Sequence, residues 1–284
     1  LLIRQRTMTI NALRAHLADG CVALPGAINA LSARLIERHG FDAIYLSGAV
    51  LANSVHGVPD IGLTTLSDVE RHVRSIASVT TLPIVADADT GFGGNENAAR
   101  TVEVLEHAGA SGIHLEDQEF PKRCGHVKGK RLVPADDFAQ KIAAAAAAKT
   151  APEFLLIART DARSVEGFDA AVDRARRYVA AGADAIFPEA LNAREEFEAF
   201  ARAVDAPLLA NMTEFGKTPY FSVQDFAAMG FRLVIFPVTL QRAAMRAMEH
   251  ALATLREDGS QAPLLDAMQT RQELYELLDY EATV

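Results

Sequence analysis

The fold is signalled most clearly by the stretch from Leu82 to Leu115, which reads LPIVADADTGFGGNENAARTVEVLEHAGASGIHL. Its apolar start predicts a buried strand over Ile84 to Ala86, and the glycines that follow predict a turn. A helix is predicted from Asn95 to Ala108, and it ends there because the next residue, a glycine, suits the left-handed conformation after a helix. The stretch is therefore one strand, loop and helix leading into a second strand, Gly112 to Leu115.

This unit recurs along the whole chain. Apolar strands are predicted over Val22 to Leu24, Ala43 to Leu46, Ile84 to Ala86, Gly112 to Leu115, Leu155 to Ala158, Ala185 to Phe187, Leu208 to Ala210 and Leu233 to Phe236. Helices are predicted over Ala30 to His39, Ser67 to Ser78, Asn95 to Ala108, Ala135 to Lys149, Phe168 to Ala181, Ala193 to Val204, Ser222 to Met229 and Leu240 to Glu257. Strands and helices that alternate in this way indicate an α/β fold, the (β/α)8 TIM-type barrel. A doubly wound open sheet is the alternative, disfavoured because no Gly-x-Gly-x-x-Gly follows the first strand.

One domain is predicted over residues 1–284, because no linker rich in Pro, Gly or Ser interrupts the chain. Ile10, Leu13 and Leu17 have helical spacing and predict a short helix before the first strand, closing at Gly20. Residues 262–284 are predicted to be a C-terminal helical extension. Its apolar side chains need a surface to pack on, such as another subunit.

Composition excludes several classes of function. The net charge of −9 argues against a nucleic-acid partner, which would require clustered Lys and Arg, but it allows a small anion in a locally positive pocket. No apolar run reaches the roughly 18 residues of a membrane span, and the first residues do not resemble a secretory signal. The two cysteines, Cys21 and Cys124, lack metal-ligand spacing, so a soluble chain in the reducing cytoplasm is expected.

Two acids end the strand in the opening stretch. Asp87 and Asp89 are two residues apart, and side chains at this spacing in an extended segment point the same way. Two adjacent like charges are costly unless a cation lies between them, and a few carboxylates with water and substrate oxygens are the ligands of Mg2+. The alternative is a solvated loop in which one aspartate caps the next helix.

The other predicted strands also end in polar residues, at the end of a barrel where active sites lie. Acids follow the fourth and sixth strands, and cationic or amide groups follow the fifth, seventh and eighth. The residues are Ser47, Gly48, Ala49, Glu116, Arg159, Glu189, Asn211, Thr213 and Arg242. Some of these side chains will only cap helices. A mixture of acids and opposing cations is what a metal ion and a polycarboxylate substrate require.

A basic loop contains the second cysteine, in Lys122-Arg123-Cys124-Gly125-His126. Flanking cations and a histidine lower the pKa of a thiol, and glycine lets a loop approach a ligand closely. Cys124 is therefore predicted to act as a nucleophile or as a general acid or base, in a loop too basic for a buried structural cysteine. The alternative is a chance cysteine in a basic loop.

Seven segments together resemble the isocitrate lyase and phosphoenolpyruvate mutase superfamily, and most of all its methylisocitrate lyase branch. The segments are Tyr45-Leu46-Ser47-Gly48, Asp87-Ala88-Asp89-Thr90-Gly91-Phe92-Gly93, Glu116-Asp117-Gln118, Lys122-Arg123-Cys124-Gly125-His126, Ala158-Arg159-Thr160-Asp161, Phe187-Pro188-Glu189-Ala190 and Asn211-Met212-Thr213-Glu214-Phe215-Gly216. The resemblance extends from about Leu24 to about Tyr280, and the cysteine loop is its most specific part.

The resemblance implies a Mg2+-dependent cleavage of 2-methylisocitrate to pyruvate and succinate, with Mn2+ as a substitute cation, and a homotetramer that exchanges C-terminal helices. Asp87 and Asp89 match the metal-site acids, with Asp60 and Glu116 supporting the metal through water. Cys124 matches the acid that protonates the succinate carbanion, and Tyr45 is the candidate to remove the hydroxyl proton. The matching substrate-binding positions are Ser47, Gly48, Ala49, Gly125, His126, Arg159, Glu189, Asn211, Thr213, Arg242 and Arg271, and Arg159 is also catalytic as a carboxylate clamp.

Two departures from the branch concern the site. Ala49 replaces a more usual glycine, and residues 127–130 read Val-Lys-Gly-Lys where Arg-Pro-Asn-Lys is usual. Phe187 and Ile235 are predicted to form the apolar wall for the methyl group of the substrate. The alternative functions are a lyase for dimethylmalate or isocitrate, an oxaloacetate decarboxylase, which the cysteine loop disfavours, and a non-catalytic barrel.

Overall fold

Parallel strands and helices alternate along the chain. The computed structural model describes residues 2–123, 125 and 129–281. Its strands are β1 (Val22–Pro25), β2 (Ile44–Leu46), β3 (Ile84–Asp87), β4 (Gly112–Glu116), β5 (Leu155–Thr160), β6 (Ala185–Pro188), β7 (Leu209–Asn211) and β8 (Leu233–Phe236). Its α-helices are α1 (Leu2–Asp19), α2 (Ala30–Arg38), α3 (Gly48–Val50), α4 (Leu66–Ala77), α5 (Asn95–Ala108), α6 (Ala135–Ala147), α7 (Ala162–Val165), α8 (Phe168–Ala180), α9 (Arg194–Ala203), α10 (Val223–Ala228), α11 (Thr239–Asp258) and α12 (Arg271–Leu277). A π-helix follows α3 (Leu51–Val55), and a 3₁₀-helix precedes α12 (Ala262–Ala267).

The strands close into a barrel. Strands β2 to β6 form one parallel arc in sequence order, and β7, β8 and β1 form a second arc in which β8 is central. Single parallel bridges join the arcs, from Gly26 to Tyr45 beside β1 and β2 and from Ile186 to Leu208 beside β6 and β7. The predicted (β/α)8 barrel is confirmed, and the open doubly wound sheet is excluded.

The barrel interior is a packed core. Alternate side chains of the strands point inward, and those of Leu24, Val85, Ile157 and Phe187 belong to one buried cluster on the axis. Helix α1 contributes to the same cluster and lies at the amino-terminal end of the strands. There its Arg14 donates to the backbone oxygen of residue 153 at 2.7 Å, just before β5.

The same alternation carries side chains to the opposite end of the strands. Two residues beyond Val85, Ile157 and Phe187 are Asp87, Arg159 and Glu189. Because the residue spacing is two in each case, the strands that build the core also aim these charged groups at one place above it. A layer of charged side chains therefore lies directly on the apolar core, at the carboxyl ends of the strands.

The helices cover the outside of the barrel with apolar faces. In α5, Ala98, Val102 and Leu105 recur at helical spacing and are fully buried. The rings of Phe138 in α6 and Tyr178 in α8 meet edge to face with centroids 4.8 Å apart. Burial of a large apolar side chain contributes roughly 1.5–3 kcal/mol, so this outer layer fixes the strands.

Most predicted elements end within two residues of the observed bounds. Strands β3, β4 and β5 run further than predicted, so Asp87, Glu116 and Arg159 belong to the strands themselves. The prediction of a short first helix is wrong, because α1 has 18 residues. The apolar spacing in the sequence marks only the buried part of this helix. Within the described ranges, no helix is long and apolar enough to cross a membrane.

Candidate active site

A cavity of about 70 Å³ lies at the carboxyl ends of the strands. It is lined by predicted site residues from six strand ends and by the loop after β4. These residues are Tyr45, Ser47, Ala49, Asp60, Asp87, Arg159, Phe187, Glu189, Asn211, Thr213, Ile235, Lys122, Arg123 and Gly125. The structure thus brings together groups that are up to about 190 residues apart in the chain. Both residues of the predicted apolar wall, Phe187 and Ile235, are part of this lining.

The two aspartates converge, but for a different reason from the one predicted. Strand β3 ends at Asp87, and Asp89 has a left-handed backbone with φ of 47°, so the two are not in one extended segment. Asp87 Oδ1 accepts a hydrogen bond from the backbone N–H of Asp89 at 3.0 Å, and Asp87 Oδ2 accepts one from Gly48 N–H at 3.1 Å. A tight turn therefore holds both carboxyl groups at the site, and the alternation argument was wrong for Asp89.

The space beside these acids fits a small cation. A Cβ atom added to Gly48 would lie 2.9 Å from Asp87 Oδ2 and 3.5 Å from Asp89 Oδ1, so both oxygens face a point that only glycine leaves free. Glu116 Oε1 is buried without a hydrogen-bond partner among the described residues. Within that same part of the chain, no three His, Cys, Asp or Glu side chains are placed to hold a metal by themselves. A site of few carboxylates suits Mg2+, which keeps water and substrate oxygens as ligands.

The acids differ in their protonation. Burial raises the pKa of Asp87, but the positive charges around it, including Lys122 and Arg159, outweigh burial and lower it to about 2. Burial raises the pKa of Asp89 to about 6, although Lys122 Nζ lies 2.7 Å from its Oδ1. Burial also raises the pKa of Glu116 well above its usual value. The three acids Asp87, Asp89 and Glu116 outnumber the neighbouring cations Lys122 and Arg159. This excess of carboxyl groups favours binding of a further cation.

Gly48→Ala should weaken Mg2+ binding at least tenfold and lower kcat/KM by roughly 100-fold. The new methyl group would lie 2.9 Å from Asp87 Oδ2, an oxygen that the Gly48 N–H fixes. Alanine is otherwise the better residue in a helix, so a weaker helix would not explain the loss. Calorimetric titration with Mg2+ measures the affinity. The control is Ala49→Gly, which alters the neighbouring residue by one methyl group and should leave the affinity within about twofold; unchanged Mg2+ binding by Gly48→Ala would contradict the assignment.

Arg159 is a fixed positive charge at the end of β5. Its Nε lies 3.0 Å from Asp161 Oδ2, its Nη1 3.3 Å from Glu116 Oε2 and its Nη2 3.5 Å from Glu189 Oε2. Burial acts against the charge, but the three acids raise the pKa of Arg159 well above its usual value. The guanidinium also lies over the ring of Phe187, 5.1 Å from its centroid. The guanidinium is therefore held in one orientation at the cavity wall.

Tyr45 has a partner that the sequence analysis missed, His114 in β4. Tyr45 Oη lies 2.8 Å from His114 Nε2, which is 3.5 Å from Asp87 Oδ1. Burial lowers the pKa of His114 to about 4, so the ring is neutral at pH 7. Burial and then Asp87 raise the pKa of Tyr45 well above 10, so a proton-accepting Tyr45 requires an added cation nearby. The signal for His114 was present: it precedes Glu116 by two residues and so shares its side of the strand.

The loop after β4 is only partly described, since Cys124 and His126 lie outside the described residues. Gly125 is packed tightly, because a Cβ atom there would lie 2.5 Å from Glu189 Cγ and 2.6 Å from Arg159 Nη2. Lys122 and Lys130 are 4% and 7% exposed. Two lysines of this basic loop are therefore buried, although the loop is rich in charge.

Several predicted substrate-binding residues have clear positions in the cavity wall. Ser47 Oγ accepts a hydrogen bond from Val50 N–H at 3.3 Å and caps α3, and the same residue lines the cavity. Asn211 Nδ2 donates to Glu189 Oε2 at 3.2 Å. Thr213 lines the cavity beside them.

The two remaining predicted arginines are elsewhere in the single chain. Arg242 is half exposed, with Nε 3.5 Å from Glu214 Oε2 and its guanidinium 5.3 Å from the ring centroid of Phe215. Arg271 lies in α12 and lines a separate cavity of about 740 Å³ formed by residues 271–281. The described chain does not bring Arg271 to the active-site cavity.

A barrel whose strand ends carry a group of buried acids around a fixed guanidinium is typical of enzymes that act on small molecules. Residues 13–256 match the family described as phosphoenolpyruvate phosphomutase. The match covers most of the chain, and the chain therefore belongs to this family. The superfamily resemblance found in the sequence is confirmed.

The names of individual relatives are more specific than the description of the family. The 2-methylisocitrate lyase of Aeropyrum pernix is 52% identical over 259 residues, which cover 91% of this chain and 83% of that protein. A crystal structure of 2,3-dimethylmalate lyase is 39% identical with a TM-score of 0.90, covering 97% of this chain and 92% of that one. A structure of phosphonopyruvate hydrolase in complex with oxalate and Mg++ is 35% identical with a TM-score of 0.86 and covers 95% of each chain.

Proposed function

We propose that this protein is a carbon–carbon lyase that cleaves 2-methylisocitrate to pyruvate and succinate. One observation carries the proposal: Asp87 and the Arg159 guanidinium line one cavity that Phe187 and Ile235 wall with apolar surface, and Asp89 lies directly beside Asp87. Such a cavity suits a substrate with carboxylates, a metal-binding hydroxyl and a methyl group. The 52% identity with a protein named 2-methylisocitrate lyase supports the choice of substrate.

Mg2+ is the proposed cofactor, with Mn2+ as a substitute. Asp87 and Asp89 would hold the ion, and Asp60 and Glu116 would support it through water. When bound, the ion acts as a Lewis acid that stabilises negative charge on the oxygen that becomes the carbonyl of pyruvate. The phosphonopyruvate hydrolase structure shows that a relative of this fold is found with Mg++.

The reaction breaks the C2–C3 bond of the substrate. Tyr45 is proposed to take the proton of the hydroxyl group while its own phenol proton passes to the neutral His114, whose Nε2 lies 2.8 Å from the phenol oxygen. The electron pair of the substrate O–H bond becomes the second bond of the carbonyl. The electron pair of the C2–C3 bond stays on the succinate carbon, and Cys124 gives its proton to that carbon. Arg159 holds the carboxylate of the pyruvate half throughout.

The other binding residues are divided between the two halves of the substrate. Ser47, Gly48 and Ala49 are proposed to bind the pyruvate half. The remaining carboxylates would be held by Gly125, His126, Glu189, Asn211 and Thr213. Arg242 and Arg271 lie outside the cavity in the single chain, so they would join these residues only where the proposed assembly brings them to the site.

The cavity is smaller than its proposed substrate requires. Its volume is about 70 Å³, whereas pockets for small molecules have roughly 300–1,000 Å³. Lys122, Arg123 and Gly125 form one wall of it. We propose that outward movement of this segment enlarges the cavity for a tricarboxylate and that its return excludes water before the proton transfers.

A coupled assay with a panel of substrates tests the function. Purified protein with Mg2+ should release pyruvate from 2-methylisocitrate far faster than it cleaves isocitrate, dimethylmalate or oxaloacetate. Dimethylmalate is the main competing substrate, because a 2,3-dimethylmalate lyase matches the fold with a TM-score of 0.90. Equal or faster cleavage of any other member of the panel would overturn the substrate assignment.

A homotetramer with exchanged C-terminal helices is part of the proposal. Helix α11 has 20 residues, of which only Gln241 and Thr254 are buried in the single chain. Its apolar residues Met245, Met248 and Leu252 are 50%, 56% and 67% exposed and recur at helical spacing. An exposed stripe of this kind is typical of a helix that packs on another subunit. Light scattering should give the mass of four chains, and a monodisperse monomer would contradict the assembly.

A cytoplasmic location completes the proposal, because the catalytic thiol must stay reduced.

A further inference from the structure

We propose that the carboxylate of Asp161 positions the cysteine loop, by tying the backbone of Arg123 and Gly125 to the strand end that carries Arg159. Lys130 and Gln118 make the connection. These three side chains, Asp161, Lys130 and Gln118, are called the loop anchor below. The catalytic value of the anchor rests on the proposed function, whereas the contacts that define it do not.

Asp161 is the centre of the anchor. Its side chain is fully buried, and its Oδ2 accepts hydrogen bonds from Arg159 Nε at 3.0 Å and from Gln118 Nε2 at 3.3 Å. Its Oδ1 accepts from Lys130 Nζ and, at 3.3 Å, from Arg159 Nη2. One carboxylate therefore joins the substrate clamp to two side chains outside the cavity lining.

The other ends of these side chains hold the loop backbone. Lys130 Nζ also donates to the carbonyl oxygen of Gly125. Gln118 Nε2 donates to the carbonyl oxygen of Arg123 at 2.8 Å, and Gln118 Oε1 accepts from the Arg123 N–H at 2.9 Å. The residues on both sides of position 124 are thus hydrogen-bonded to side chains that share the Asp161 carboxylate.

Charge neutralisation explains only one of the two bonds that Lys130 makes. Arg159 is shared among Asp161, Glu116 and Glu189, so Asp161 gains from a second cation, but burial of that cation is costly unless it is fully hydrogen-bonded. Lys130 nevertheless has a side chain that is 2% exposed, and its second bond goes to a loop carbonyl. Gly125, which receives that bond, packs against Glu189 and Arg159 in the cavity wall. Displacement of the loop backbone would therefore change the cavity directly.

Limited trypsin digestion tests the anchor without substrate. The loop contains the trypsin sites Lys122, Arg123, Lys128, Lys130 and Arg131. Lys130→Met should be cleaved within residues 122–131 at least ten times faster than wild type, and Gln118→Met should behave in the same way. The control is Arg131→Met, which also removes one site but loses only an exposed pair with Glu119; it should be cleaved at the wild-type rate.

Mass spectrometry of the fragments separates loop release from general unfolding. Cleavage confined to the loop supports the anchor, and acceleration at sites throughout the chain would show that Lys130 only stabilises the fold. Equal loop cleavage in Lys130→Met and Arg131→Met would overturn the proposal.

Activity then tests the positioning role. Lys130→Met should lower kcat about 10- to 100-fold with a smaller change in KM, and Lys130→Arg should recover part of the loss. A KM effect with unchanged kcat would remove the positioning role. If the wild-type enzyme cleaves no substrate of the panel, the proposed function fails while the digestion result still decides whether the anchor holds the loop.

Discussion

Cys124→Ser should lower kcat for 2-methylisocitrate cleavage by roughly 10²–10⁴-fold, the usual contribution of a general acid. Serine has nearly the size of cysteine, but its hydroxyl is a far weaker acid than a thiol flanked by Lys122, Arg123 and His126. The carbanion of the succinate half would then lack its proton donor. Binding of substrate and of Mg2+ should change little, because the acids and Arg159 are untouched.

Single-turnover kinetics measure the chemical step, and calorimetry measures the two affinities. The control is Cys21→Ser at the other cysteine of the chain. Cys21 lies just before β1, at the opposite end of the barrel from the cavity, and burial raises the pKa of its thiol to about 11. That variant should keep wild-type turnover. Near-normal kcat in Cys124→Ser would remove the thiol from the mechanism.

Arg159→Lys should lower kcat/KM by at least about 10³-fold, which corresponds to roughly 4 kcal/mol of transition-state stabilisation. Lysine keeps the charge but has a single nitrogen, whereas the guanidinium nitrogens lie 3.0, 3.3 and 3.5 Å from Asp161, Glu116 and Glu189. A single ammonium group cannot serve three buried acids and a substrate carboxylate together. The substitution should also lower thermal stability, since it leaves buried carboxyl groups without their partner.

The control for this change is Arg163→Lys in α7, four residues further along. Arg163 also makes a bidentate pair, with Glu196, but its side chain is about 25% exposed and lies outside the cavity lining. It should retain full kcat/KM. Steady-state kinetics give kcat/KM for both variants. A wild-type kcat/KM in Arg159→Lys would show that Arg159 has only a structural role.

The barrel could be predicted from the sequence because its signals are local. Apolar runs a few residues long, helical spacing and glycines at helix ends recur in each unit, and each unit can be recognised without its neighbours. The positions of Asp87, Arg159 and Glu189 followed from the rule that strand ends form the site. His114 required a further step, the two-residue alternation applied backwards from Glu116.

Other features depend on contacts that the sequence does not reveal. The left-handed backbone of Asp89 belongs to a turn that is fixed by Gly48 and Asp87 from different units. The burial of Lys122 and Lys130 depends on acids 31 or more residues away in the chain, Asp60 and Asp161. Residue type alone does not predict this burial, because lysine is rarely buried unless it is paired. Such pairings become visible only when the strands are assembled.

The two arcs of the barrel suggest how such an enzyme can change its substrate. Tyr45, Asp87, Glu116 and Arg159 belong to the five-stranded arc, whereas Asn211 and Ile235 belong to the three-stranded arc. Among the residues that the structure describes, only single bridges join the two arcs. A substitution in the smaller arc therefore reshapes its part of the cavity wall, while the acids and the guanidinium keep their positions on the paired strands of the larger arc. Asn211 and Ile235 can therefore change without disturbing the strands that carry the bond-breaking groups, whereas a change at Phe187, the other residue of the apolar wall, falls on the arc that carries them.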